Sequence, residues 1–175
     1  MLKINNVVIV NHIFDIEKCF RQMCATVNDT YELNNVVITY EKYPRPAKKL
    51  PSKTDEDERK WILEEINTTI NKIKKDRYTR KAILYNLHKS DLAHNCLSLF
   101  HLYYREHKLH LNVYVRSMNF AENFEHDMYT FDLILNKACK KLELEKGQIV
   151  VFIMSLHKFR VLSAYEKRGK NKNNN

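Results

Sequence analysis

Glycine is almost missing from this chain: Gly147 and Gly169 are the only two among 175 residues. Loops that wrap a phosphate in backbone amides, and the dinucleotide fingerprint, need several residues without a Cβ in close succession, so both are excluded. Any phosphate must be held by side chains. Proline is as scarce, and Pro44, Pro46 and Pro51 fall within one eight-residue stretch. The four cysteines, Cys19, Cys24, Cys96 and Cys139, show no C-x-x-C pairing, which argues against a disulfide framework and predicts a reduced, cytoplasmic setting. No apolar run approaches the length of a membrane span, and MLKINNVVIVNHIF lacks the charged start, sustained apolar stretch and cleavage site of a secretory leader.

Positive charge is what the chain has in excess. Thirty Lys and Arg against 21 Asp and Glu give a net charge of +9. That favours an anionic partner, and nucleotide phosphate, RNA and DNA all qualify. Part of the excess sits in a basic tail, residues 165–175, that reads as disordered. With 44% hydrophobic residues, residues 1–164 are long enough to form one domain with a substantial core.

The coarse pattern is that of an α+β protein, a mixed sheet with helices packed mainly on one side. INNVVIV reads as a strand, FDIEKCFRQMCATV as a helix and ELNNVVITYEKY as a strand. PRPAKKLPSK cannot sustain a helix or a central strand. A helix is expected from about Thr54, capped by its hydroxyl, with Trp61, Ile62, Ile66, Ile70 and Ile73 as its buried stripe. AILYNL, Leu97–Tyr104 and Leu109–Arg116 read as strands, the last two joined by a hairpin through Glu106, His107 and Lys108. MYTFDLILNKACKKL reads as a helix, Gly147 as the end of the turn after it, and QIVVFIMSL as a strand covered on both faces.

Four residues stand out by their spacing. Cys96 and Arg116 stand twenty positions apart at the two ends of the expected hairpin, and Asp127 and His157 follow at intervals of eleven and thirty. A thiolate is the reactive form of cysteine, and a guanidinium beside it stabilises the anion. In LHLNVYVRS the apolar residues alternate with His110, Asn112, Tyr114 and Arg116, so Arg116 points with the polar set and the hairpin can return it to Cys96. The competing reading is a small buried hydrophobe at Cys96. Asp127 also has an ordinary reading, as the cap of a helix beginning near Met128. His101, His107 and His110 complete no tetrahedral metal set, and no metal is expected.

From about Ile66 to Phe159 the chain resembles the thymidylate synthase and deoxycytidylate hydroxymethylase family, in which a nucleophilic cysteine, an R-S pair, an asparagine or aspartate and a histidine stand at these intervals. INTTINKIKKDRYTRKA looks like the shorter archaeal and phage branch. The resemblance implies a homodimer built sheet face to sheet face. It implies that Arg80 and Lys81 reach across it to the phosphate, Arg116 and Ser117 bind that phosphate in their own subunit, and His157 lies near the sugar 3′-hydroxyl. Cys96 would attack C6 of a pyrimidine nucleoside monophosphate, making C5 nucleophilic toward 5,10-methylenetetrahydrofolate. Aspartate at position 127, where thymidylate synthases carry asparagine, would select cytosine.

The departures from the family pattern are equally specific. Phe159 replaces a tyrosine that contacts the sugar, Asn119 an aspartate associated with folate, and Asn95 the proline before the cysteine. The glutamate-bearing segment is replaced by PRPAKKLPSKTDEDERK, with Glu56 and Glu58 as poor substitutes. Sixteen residues follow Phe159, where complete enzymes carry a segment that closes over folate. A catalytically impaired relative that binds nucleotide or RNA is therefore the alternative to an active transferase.

Overall fold

Burial alternates along every long strand, which places one side of a sheet against helices and turns the other away. The computed structural model describes residues 8–10, 16, 30–43, 53–85 and 96–159. Its elements are β1 (Val8–Val10), β2 (Thr30–Tyr40), α1 (Lys53–Lys75), β3 (Ile83–Tyr85), β4 (Leu97–Arg105), β5 (Lys108–Asn119), α2 (Phe124–Leu142) and β6 (Glu145–Phe159). Among the described residues the strands form one sheet in the order β1-β2-β6-β5-β4-β3. β1 with β2 and β5 with β6 are parallel, and the remaining pairs are antiparallel. The sheet is mixed and the class α+β. The expected helix over FDIEKCFRQMCATV, apart from Ile16, the proline-rich stretch from Pro44 to Ser52, and the basic tail lie outside the described residues.

Both helices cover one face. Ile62, Ile66, Ile70 and Ile73 of α1 are buried as their spacing requires, and Trp61 is half-buried at the margin of the stripe. Each isoleucine removed from water contributes about 1.5–3 kcal/mol. α2 buries Phe124, Met128, Phe131, Ile134, Leu135 and Ala138, with the Phe131 ring edge-on to Phe100 of β4 at 5.8 Å. The boundaries differ from expectation at both helix starts. α1 begins at Lys53, so Thr54 falls inside its first turn. α2 begins at Phe124, four residues before Met128, with Asn123 at its N-cap position, so Asp127 does not cap it and instead sits with Glu125 in the acidic first turn that complements the helix dipole.

The scarcity of glycine shows in the turns. Glu106 (φ 50°) and His107 (φ 62°) are both left-handed and form a two-residue hairpin closed by Arg105 and Lys108. That geometry matches the twist of the flanking strands, and it is usually taken by Asn-Gly. Likewise α2 ends on Glu143 at φ 53°, where the Leu144 amide donates to the Cys139 carbonyl. Gly147 was expected to end that turn; it lies within β6. Its reason is close approach, since a Cβ there would stand 2.6 Å from the His110 ring. The ring cannot swing away cheaply, because Nδ1 accepts from the Gln148 amide at 3.1 Å and Nε2 faces the Arg105 carbonyl at 3.3 Å.

β6 is not covered on both faces as its apolar run suggested. Ile149, Val151 and Ile153 are buried, whereas Val150 and Phe152 are partly exposed and Met154 is 64% exposed. The register explains the hydrophobicity of the open side: Tyr85, Leu99, Tyr114, Phe152 and Val37 stand opposite one another across β3, β4, β5, β6 and β2. Tyr114 stacks on Phe152 at 4.8 Å within that row.

Replacing Gly147 by alanine should drive the new methyl into a ring held at both nitrogens, at a cost of about 1–3 kcal/mol. Urea denaturation measures it; an unchanged midpoint would show that the ring yields.

Candidate functional site

The helix-facing rows of the three central strands turn from apolar to polar at the same level. Val113, Val151 and Ile38 form one cross-strand ladder and Val115, Ile153 and Val36 the next, all buried. One step further come Ser117, Ser155 and Asn34, then Asn119, His157 and Glu32. Directly opposed residues project to the same face, so these six polar side chains share the end of one surface. Ser117 Oγ lies 3.3 Å from His157 Nδ1, within hydrogen-bond reach. Ser155 donates to the Glu32 carboxylate at 2.5 Å. The Phe120 amide donates to the His157 carbonyl at 2.8 Å, fixing the strand end.

Cys96 and Arg116 stand at this same end. The Arg116 amide donates to the Cys96 carbonyl at 2.7 Å, so the two residues face each other where β4 begins and β5 nears its end. Both are exposed. A bulge between Leu97 and Leu99 shifts the pairing immediately after the cysteine, a device that ends regular pairing and re-aims neighbouring side chains. Arg116 and Ser117, being consecutive in a strand, leave it on opposite sides. Asp127 belongs to α2, whose first turn follows directly on this end of the sheet, and its charge is felt by Tyr40. The Tyr40 phenol is held well above its ordinary pKa, first by burial and then by Asp132, Tyr43 and Asp127; it donates to the Met128 carbonyl at 2.8 Å.

Arg80 and Lys81 are exposed on the connection from α1 to β3 and are not brought to Cys96. The Ala82 carbonyl accepts from the Leu102 amide, which anchors the basic pair about six residues up β4 from the cysteine, roughly 20 Å at 3.3 Å per residue. His101 and His110 join an aromatic stack through Tyr103, with ring separations of 5.5 and 5.1 Å. Surface cavities of about 240 and 350 Å³ lie near the far ends of the helices and of β6 and touch none of the polar ladders. Glu32, Asn34 and Ser155 were missed in the sequence because nothing local marks them: Glu32 and Ser155 are 123 positions apart.

The thymidylate synthase family model matches residues 25–165 of the chain. A search of curated protein sequences returns no match.

The two described cysteines differ in a way that alkylation can read. Cys139 is buried in α2, and burial pushes its thiol up to about 11, whereas Cys96 is exposed. Raising a thiol pKa by about two units cuts its thiolate fraction near pH 8 about 100-fold. Iodoacetamide should therefore modify Cys96 well before Cys139 in the folded protein, as mapped by peptide mass spectrometry. Equal rates would contradict the assignment of Cys96 as the accessible nucleophile.

Proposed function

The chain belongs to the thymidylate synthase family, and from that membership we propose that it activates C5 of a pyrimidine nucleoside monophosphate through Cys96. The family transfers a one-carbon unit to that carbon. The observation that carries the reading is the pairing of Cys96 with Arg116, 2.7 Å between carbonyl and amide, at the end of the sheet where Ser117 and His157 also meet. In this reading the Cys96 thiolate adds to C6 of the base, the ring double bond becomes an enolate or enamine, and C5 takes up a proton from solvent. Loss of the original C5 hydrogen and expulsion of the thiolate restore the ring, so C5–H exchange needs only the protein and the nucleotide. Arg116 holds the phosphate, and Ser117, which leaves the strand on the other side, orients His157 toward the sugar 3′-hydroxyl.

Asp127 sets the base. A carboxylate accepts from the C4 amine of cytosine and, when protonated, donates to N3, whereas uracil presents N3–H and O4. A cytidylate is the preferred substrate, and with a one-carbon donor the product would be a hydroxymethylated cytidylate.

The family generally uses methylenetetrahydrofolate as donor. Asn119, at the position associated with folate, is buried and its Oδ1 accepts from the Ala121 amide at 3.0 Å, so it serves its own turn and does not fit a folate contact. That observation favours a second reading, a nucleotide-binding protein that has lost one-carbon transfer, with RNA as a further ligand of its basic surface.

The partner subunit completes the first reading. An apolar row across five strands on the uncovered face supports a dimer of sheet against sheet, and the roughly 20 Å between Arg80 and Cys96 along the strand supports delivery of Arg80 and Lys81 to the other subunit's phosphate.

Tritium release from C5-labelled dCMP, CMP, dUMP and UMP, with and without folate, separates the readings. Release from the cytidylates, abolished by Cys96→Ser and shifted toward the uridylates by Asp127→Asn, is the expected result; release from none leaves the binding protein. Sedimentation at micromolar concentration should give a dimer that Tyr114→Arg dissociates. In that dimer, Arg80→Ala should weaken nucleotide binding by about 1.5–3 kcal/mol, the scale of a charge-assisted hydrogen bond. A monomeric wild type would remove the shared phosphate site.

A further inference from the structure

Resting on that nucleotide reading, we infer that Glu32 is a sugar-contacting residue that accepts a hydrogen bond from a ribose 2′-hydroxyl, making the site selective for ribonucleotides. Three observations converge on it. Glu32 stands directly opposite His157 across β2 and β6, so the carboxylate and the imidazole project from the same face at adjacent positions, about 5 Å apart at Cβ. Ser155 Oγ donates to one carboxylate oxygen at 2.5 Å, which orients the group and leaves acceptor capacity on a carboxylate that offers about four lone-pair sites. Phe159 stands at the family's tyrosine position, so no phenol hydroxyl serves the sugar there.

The chemistry distinguishes the two hydroxyls of a ribose. In that reading His157, whose ring meets the Ser117 hydroxyl at 3.3 Å, serves the 3′-oxygen. The neighbouring 2′-hydroxyl is cis to it on the ring and needs an acceptor for its proton. A carboxylate on the adjacent strand supplies one, as acidic residues do for the ribose 2′-hydroxyl of dinucleotide cofactors. A deoxyribose would leave that carboxylate facing a C–H group, with its hydration disturbed and no bond in return. Aspartate would fall short of the Ser155 hydroxyl by one methylene, so the length of Glu32 matters as well as its charge.

Calorimetric titration of CMP and dCMP, and of UMP and dUMP, into wild type, Glu32→Gln and Glu32→Ala tests this in the full chain. The wild type should bind each ribonucleotide about tenfold or more tighter than its deoxy counterpart, the scale of one hydrogen bond to a charged group. Glu32→Ala should bring the ratio close to one by weakening the ribonucleotide alone, and Glu32→Gln, whose amide oxygen can still accept from Ser155, should give an intermediate ratio at an unchanged melting temperature. A ratio unaltered in both variants, or a wild type that prefers the deoxynucleotide, overturns the assignment of Glu32 while leaving the nucleotide site standing. Failure of every pyrimidine monophosphate to bind wild type overturns both.

Discussion

The register of β6 between β2 and β5 is the constraint on which the rest depends. β6 is hydrogen-bonded to both neighbours along most of its fifteen residues, antiparallel to one and parallel to the other. Side chains alternate with period two, so a slip of one residue would move Ile149, Val151 and Ile153 from beneath the helices to the open face and carry Ser155 and His157 with them. Core and site are therefore set by one choice. The same alternation that seats the valines against α2 delivers polar groups once the strands run past the helical cover.

Charge placement follows from the same geometry. Asp132 is buried on α2 and meets Lys146 of β6 at 2.5 Å, with Asn136 and the Tyr43 amide as further donors. Taking such a carboxylate out of water is tolerable because three donors satisfy it at once, and the cost of losing one would fall on the others. This network lies toward the end of the sheet remote from Cys96. Rigidity at one end and an accessible thiol at the other are two outcomes of where the strands begin and stop.

Much of this was legible in the sequence because it is local. The stripe from Ile62 to Ile73, the hairpin at Glu106 and His107, and the alternation that exposes Arg116 all follow from periods of 3.6 or 2 within a short window. The intervals linking Cys96, Arg116, Asp127 and His157 were legible through the family's spacing. What escaped depends on pairing between distant segments. Gly147 reads as a turn glycine because nothing nearby announces the His110 ring thirty-seven positions earlier. QIVVFIMSL reads as doubly buried because a continuous apolar run does not distinguish its two faces; Met154 is 64% exposed and Val150 and Phe152 are partly exposed. Asp127 reads as a cap because the helix pattern becomes unmistakable only at Met128, while the polar Glu125-His126-Asp127 that opens the helix does not advertise it.

The hairpin at Glu106 and His107 has an evolutionary consequence. Two consecutive L-residues in the left-handed region cost on the order of 1–2 kcal/mol each, and the chain accepts this at the end of the sheet farthest from the polar ladders. An Asn-Gly pair there would remove the strain without touching a residue of the polar ladders. The molecule thus holds an unspent reserve of stability in a turn, available to offset what substitutions elsewhere in the sheet would cost the fold.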